Sequence, residues 1–317
     1  MKKSLLLFII FVLLHTGSCA YRIQDEGFKL HRIKTDSAKE IMEFFTWSPN
    51  RLPVVCAHRG GARTGFPENC IETFENTLKN VYALIEADPR YTKDSVMVLM
   101  HDPTLERTTN GKGRVSDYTL AELKMLRLKD PEGNITGYKI PTLDETLTWA
   151  KSKTILILDR KDVPLKERVR MITEHKAESY VMVMAYTLDE IKECHRLNPD
   201  IMMEVFIPDA KQVSNFETND IPWSNVVGFV SHNLITDTGI FDLIHGKGVK
   251  CIVGSSRNHD ISFKKGQIKD PGELAEKYRE MIRYGADIIE ADLAIEAGTA
   301  LTDLQKKGRA GSAFLKY

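Results

Sequence analysis

The stretch "VVCAHRGGARTGFPENC", Val54 to Cys70, opens with a short apolar run, Val54-Val55-Cys56-Ala57. That run stops at His58-Arg59-Gly60-Gly61, and a second polar cluster, Pro67-Glu68-Asn69, follows at once. A buried strand that ends in a histidine, an arginine and two glycines has two readings. One is a surface turn. The other is the rim of a ligand site at the mouth of a barrel, and the rest of the chain decides between them.

Comparable apolar runs recur at 53–58, 82–88, 154–159, 180–186, 201–206, 226–232, 249–255 and 286–292. They do not alternate with polar residues, so they read as strands covered on both faces. Amphipathic segments lie between most of them: 70–80, 141–152, 187–199 and 271–285, the last starting with Pro271 and ending with Gly285 as a helix should. Strand–helix alternation with eight strands predicts an α/β fold, a TIM (β/α)₈ barrel. An open doubly wound sheet is the alternative, disfavoured because no Gly-rich dinucleotide turn follows a strand. Two segments break the alternation. Residues 36–45, "DSAKEIMEFF", predict a helix across the barrel bottom. Residues 103–140 form a small insertion after strand 2, with a helix expected over 117–126.

The 317 residues divide into a leader (1–20), an N-terminal extension (21–52) and the barrel (53–317). Lys2 and Lys3 precede an apolar run from Leu5 to Leu14, and small residues follow, which is the three-part pattern of a secretory signal. The run falls short of the roughly 20 residues that span a bilayer. Cleavage after Ala20 would release a soluble protein. Cleavage before Cys19 would leave a lipid-anchored N-terminus, since "TGSC" resembles a lipobox with Thr16 where Leu is usual. Either way the expected location is outside the cytoplasm, periplasmic or lipid-anchored to the cell envelope, and that anchor is the one membrane contact expected. Lys and Arg number 44, as do Asp and Glu; without Lys2 and Lys3 the balance is 42 to 44, a net of −2. That balance argues against a nucleic-acid partner, and no protein partner is evident. Cys19, Cys56, Cys70, Cys194 and Cys251 are too few for a disulfide framework. Cys56 and Cys251 lie in strand-like runs and read as small buried hydrophobes.

Active-site groups of a parallel barrel sit at the C-terminal ends of its strands. The first run ends in His58-Arg59 and the second in Glu86-Ala87-Asp88. Residues two apart share a face, roughly 6.6 Å apart, so Glu86 and Asp88 both point into the mouth. Two carboxylates converging there repel unless a cation lies between them, and hard divalent ions suit carboxylate oxygens. A turn centred at Asp94–Ser95 would set Asp88 opposite His101, bringing that imidazole to the same level. Asp102 beside it is placed to orient the ring or cap the loop. The third run ends in Asp159-Arg160-Lys161, where Asp159 and Lys161 share a face. The assembly of two histidines, three carboxylates, an arginine and a lysine suits phosphodiester cleavage. Cationic groups neutralise phosphoryl oxygens, and two imidazoles with ordinary pKa near 6.5 divide the proton work.

"AHRGG…FPEN", "IEADPRYTKDSVMVLMHDPTLERTTNGKGRV" and "IPTLDETL" resemble the glycerophosphodiester phosphodiesterase family, secreted bacterial type, closely over 54–165. Beyond that the likeness rests on barrel periodicity and "GADIIEAD". The resemblance implies a TIM barrel with an insertion after strand 2, and metal-dependent hydrolysis of glycerophosphodiesters to glycerol 3-phosphate and an alcohol. It implies His58 and His101 as the catalytic acid–base pair. Glu86, Asp88 and Asp159 would hold one divalent cation, Ca²⁺ or Mg²⁺. Arg59 and Lys161 would bind the phosphate of the small-molecule substrate, with Glu68 and Asn69 holding the first loop beside His58 as part of the substrate-binding set.

Three positions depart from the family pattern. Asp159 stands where Glu is usual, and Cys70 where Thr is usual. "VGSSRNHD" (253–260) stands where a Trp-containing strand end lines the alcohol pocket, so Gly254, Ser255 and Ser256 leave that wall smaller and more polar. Two other readings stay open. One is a related phosphodiesterase acting on intact lipid, phospholipase C-like or D-like, for which no apolar membrane-inserting loop is seen in 103–140 or 255–270. The other is a non-catalytic binding barrel.

Overall fold

The computed structural model describes residues 29–219, 221–233, 235, 238–307 and 312–317. The leader over 1–20 and the start of the extension, 21–28, fall outside the described residues. Eight parallel strands close into a barrel: Val54–Ala57, Ala83–Ala87, Leu156–Leu158, Val181–Ala185, Met203–Phe206, Val226–Ser231, Cys251–Gly254 and Ile288–Ala291. Each lies within one of the eight apolar runs. The eighth strand pairs with the first, Ile288 with Val54 and Glu290 with Cys56, which completes the closure.

The strands are apolar on both sides because each side is packed. Cys56, Leu84, Ile157, Met182, Met202, Val227, Ile252 and Ile288 fill the interior. The intervening residues, such as Val55, Ile85, Leu156 and Val183, form a larger core with the surrounding helices. The helix of the extension is Ala38–Phe45, capped by the Ser37 side chain on the Glu40 N–H. Its Ile41, Phe44 and Phe45 join the interior cluster, so it closes the bottom of the barrel as expected. Residues Arg32–Ile33, ahead of it, pair antiparallel with Leu315–Lys316.

The insertion begins as a hairpin in which Pro89 faces Leu99 and Tyr91 faces Met97. Asp88 therefore lies opposite Met100, whose N–H donates to the Asp88 carbonyl at 2.8 Å, and not opposite His101 as expected. The cause is the turn. The Thr92 N–H bonds the Val96 carbonyl, and the loop of three residues ends on Ser95 in the left-handed region at φ 61°. The helix expected over 117–126 shrinks to one turn, Leu120–Leu123, held by a Thr119–Glu122 capping box after a 3₁₀ turn at Val115–Asp117. The chain cannot stay helical there. Arg127 must return extended so that its carbonyl accepts the Asn110 N–H, and Leu128 enters a separate small core with Val98, Met100, Leu105 and Ile140.

Candidate active site

Three residues in a row after the first strand, Arg59, Gly60 and Gly61, have φ of 51°, 89° and 79°. A side chain at Gly60 would also collide: its Cβ would lie 2.2 Å from a ring carbon of Phe74. Gly61 donates its N–H to the His58 carbonyl, closing the turn. The reversal aims the Arg59 N–H at Glu86 Oε2, 2.7 Å away. Asn69, buried and itself at φ 54°, ties the far end of the loop to Asp88. Its Nδ2 donates to Asp88 Oδ2 at 2.6 Å and its Oδ1 accepts the Asp88 N–H at 3.0 Å. Glu68 accepts from Arg59 at 3.3 Å and from two nitrogens of Arg107 at 2.7 and 2.8 Å. Both residues thus brace the loop and its neighbours.

Glu86, Asp88 and Asp159 are buried, and oxygens of all three lie within 4.8 Å of one another. The Lys161 ammonium lies 3.0 Å from Asp88 Oδ1 and also contacts Asp159, which accepts a further bond from the Tyr186 hydroxyl. Burial and the charges of Asp88, Asp159 and Glu290 push the Glu86 carboxyl well above the usual range. Burial works the same way on Asp88, but Lys161, His101, Arg59 and Asn69 outweigh it and hold that carboxyl below its usual value. Three oxygens this close fit a hard cation that takes oxygen ligands at roughly 2.0–2.6 Å, so these residues could hold one. A second close set, His245, Cys251 and Asp287, lies at the barrel base. There Asp287 already accepts from Arg51, His245 and the Cys251 N–H, which is a structural network.

His58 and His101 line one cavity of about 650 Å³ together with Arg59, Glu86, Asp159 and Lys161. Each ring is oriented through Nδ1 by a carboxylate. His58 Nδ1 lies 2.6 Å from Asp292 Oδ1, and His101 Nδ1 lies 2.7 Å from Asp102 Oδ1. That leaves Nε2 of each as the atom that gains or loses a proton. Burial alone would lower the His58 pKa, but the bond to Asp292 and the charges of Glu290 and Asp292 prevail and raise it above 6.5. For His101 burial prevails over Asp88 and Asp102, and its pKa falls below 6.5. Asp102 is itself gripped by Arg107 at 2.6 and 3.0 Å.

The sequence pattern of the glycerophosphoryl diester phosphodiesterase family matches residues 58–250, from His58 to the residue before the seventh strand. The chain belongs to this family. It is a family of phosphoric diester hydrolases. The crystal structure of a glycerophosphoryl diester phosphodiesterase from Parabacteroides distasonis is 42% identical and superposes with a TM-score of 0.86, covering 91% of this chain and 99% of that one. The Bacillus subtilis glycerophosphodiester phosphodiesterase is 30% identical over 189 residues, 53% of this chain and 63% of that protein. An Oleispira antarctica phosphodiesterase solved in complex with sn-glycerol-3-phosphate shares the fold at 21% identity, with a TM-score of 0.57 over 79% of this chain and 97% of that one.

The cavity also holds residues that the sequence pattern does not single out: Asp292, within "GADIIEAD", and Glu204, Glu290, Tyr186 and Phe206. Glu290 and Asp292 carry the same signal as Glu86 and Asp88, two acidic residues two apart where a strand ends.

Proposed function

We propose that this chain hydrolyses glycerophosphodiesters to glycerol 3-phosphate and an alcohol, using His58 as acid and His101 as base in the first step. The observation that carries this reading is the pair of imidazoles in one cavity, each on its own carboxylate, with pKa values displaced in opposite directions. The lowered pKa favours an unprotonated Nε2 on His101, and the raised one a protonated Nε2 on His58. His101 takes the proton of the glycerol hydroxyl next to the ester. That oxygen attacks phosphorus, the bond to the leaving alcohol oxygen breaks, and His58 Nε2–H protonates the departing oxygen. The product is a cyclic phosphate. In the second step His58, now neutral, takes a proton from water, whose oxygen attacks phosphorus, and His101 returns its proton to the glycerol oxygen as the ring opens. Arg59 and Lys161 face the phosphoryl oxygens. Ca²⁺ or Mg²⁺ held by Glu86, Asp88 and Asp159 would supply positive charge against the charge developing there.

The experiment is a ³¹P NMR product assay on glycerophosphocholine, glycerophosphoethanolamine, glycerophosphoglycerol and intact phospholipid vesicles, with and without chelator. Glycerol 3-phosphate from the deacylated diesters, lost on chelation, is expected. Turnover of vesicles at a comparable rate would replace this reading with the lipid-directed one. The leader at 1–20 supports our further reading that the enzyme is exported. Mass spectrometry of the mature N-terminus, beginning after Ala20 or at a lipidated Cys19, tests it.

A further inference from the structure

Two carboxylates of the cavity are given no proton to move in that chemistry. Glu204 on the fifth strand and Glu290 on the eighth are 1% and 2% exposed, yet both line the cavity. The nearest basic group to Glu290 is His232 Nδ1 at 3.9 Å. Burial, then Arg257 and His58, lower His232 to about 4, so it carries no charge at neutral pH. Glu204 is more exposed to cost: both of its Oε atoms are buried without a hydrogen-bond partner among the described residues. Below it the barrel interior is apolar, with Met202 just ahead of its strand and Met184 beside it on the adjacent one. A methionine or leucine would fill such a position without penalty, whereas a buried carboxyl without a partner is costly. A ligand that brings a positive charge removes that cost.

The surroundings of Glu204 distinguish which cation. A compact metal ion needs several oxygens close together. Among the described residues, the close sets of three metal-binding groups are Glu86/Asp88/Asp159 and His245/Cys251/Asp287, and neither contains Glu204 or Glu290. Beside Glu204 there is an aromatic wall. Phe206, two residues on, shares its face of the strand. Its ring stacks with Tyr186 at 5.7 Å and contacts Phe229 at 4.8 Å. Arg160 already lies over the Tyr186 ring at 4.6 Å, a cation seated on this same wall. Burial and the charges of Glu290 and Asp159 push the Glu204 carboxyl well above its usual range, and a positive charge beside it would draw it back to the carboxylate. Behind aromatic faces that suits an organic ammonium, whose carbon substituents keep oxygens at a distance and favour π-faces.

We propose that Glu204, with Phe206 and Phe229, forms a subsite for a cationic amino-alcohol, so that the enzyme prefers diesters whose leaving alcohol carries an alkylammonium group. Glu290 lines the same cavity from the eighth strand. The proposal rests on the hydrolytic reading above, because the subsite opens into the cavity where His58 would protonate that alcohol.

Single-substrate kinetics test it. Wild-type kcat/KM should be about tenfold higher for glycerophosphocholine or glycerophosphoethanolamine than for glycerophosphoglycerol. Glu204→Gln, which keeps the shape, and Phe206→Leu, which removes only the aromatic face, should each shrink that ratio by about tenfold, chiefly through KM. A ratio unchanged in both variants, equal losses on cationic and neutral substrates, or a wild-type preference for glycerophosphoglycerol overturns the subsite. If no diester is turned over, the hydrolytic reading falls, and calorimetric titration with choline and with ethanolamine decides the subsite by itself. Saturable binding weakened about tenfold by Glu204→Gln supports it, and no binding overturns it. The tighter of the two amines identifies the headgroup.

Discussion

His58 Nδ1 lies 2.6 Å from Asp292 Oδ1, a pair joined across 234 positions of sequence by closure of the barrel. Asp292 holds the His58 ring through Nδ1, and its charge favours the protonated ring, which carries a proton on Nε2 as well. Asp292→Asn retains an acceptor but removes the charge, so the His58 pKa should fall and the acid should weaken. The expected loss is on the order of 10² in kcat with glycerophosphocholine. A p-nitrophenyl diester, whose leaving group needs no proton, should lose far less. Equal losses on the two substrates would remove His58 from the acid role.

The displaced histidines also set the pH profile. On the proposed roles, the active form has His101 neutral and His58 protonated. The kcat/KM should rise as pH climbs through the lowered His101 value and fall as it climbs through the raised His58 value, giving a plateau that spans 6.5. Asp292→Asn should move only the alkaline limb, and downward. A profile that keeps rising to alkaline pH would contradict the assignment. The same sign applies to stability. The His58–Asp292 contribution is fully present below the unfolded histidine pKa of about 6.5 and is lost as pH rises through the raised folded value.

Occupation of the carboxylate cluster should be visible without any assay of turnover. Ligand binding at about 100 times Kd stabilises the folded state by about 2.7 kcal/mol. Ca²⁺ or Mg²⁺ should therefore raise the melting temperature of the wild type, less so Asp159→Glu, and not Asp159→Ala. An equal rise in Asp159→Ala would place the ion elsewhere.

The loop after the first strand gives a stability prediction. Gly60→Ala would put a methyl group against Phe74 in a left-handed backbone. The cost should be about 2–4 kcal/mol, read as a lower denaturant midpoint at unchanged slope. Gly65→Ala makes a useful control, since it shares a positive φ but has nothing within 4 Å of the new Cβ. Similar losses at both positions would mean that backbone strain, and not the Phe74 contact, decides the cost.

What the sequence revealed follows from what short-range patterns can encode. The strands were legible because residues such as Val54-Val55-Cys56 are apolar on both faces, which only a doubly covered strand requires. Glu86 and Asp88 were legible through the two-residue period of the same strand. The hairpin register was not, because it hangs on Ser95 alone adopting a left-handed conformation. Residues 117–126 carry a helical pattern that the pairing of Asn110 with Arg127 overrides. Glu204, Phe206 and Asp292 gain their meaning only when the fifth and eighth strands meet the first and second around the barrel. Glu68 and Asn69 were read as holding the first loop and placed with the substrate-binding residues. In the structure they bond Arg59, Arg107 and Asp88, and their contact with substrate is a matter for the assays above.

The chain enters the described structure at the base. The His31 N–H donates to the Leu78 carbonyl at the lower end of the first outer helix, and the Ile33 N–H to the Lys153 carbonyl just before the third strand. The candidate catalytic groups all stand at the other end of the strands. The described chain therefore begins at the foot of the barrel, at the opposite end from the mouth.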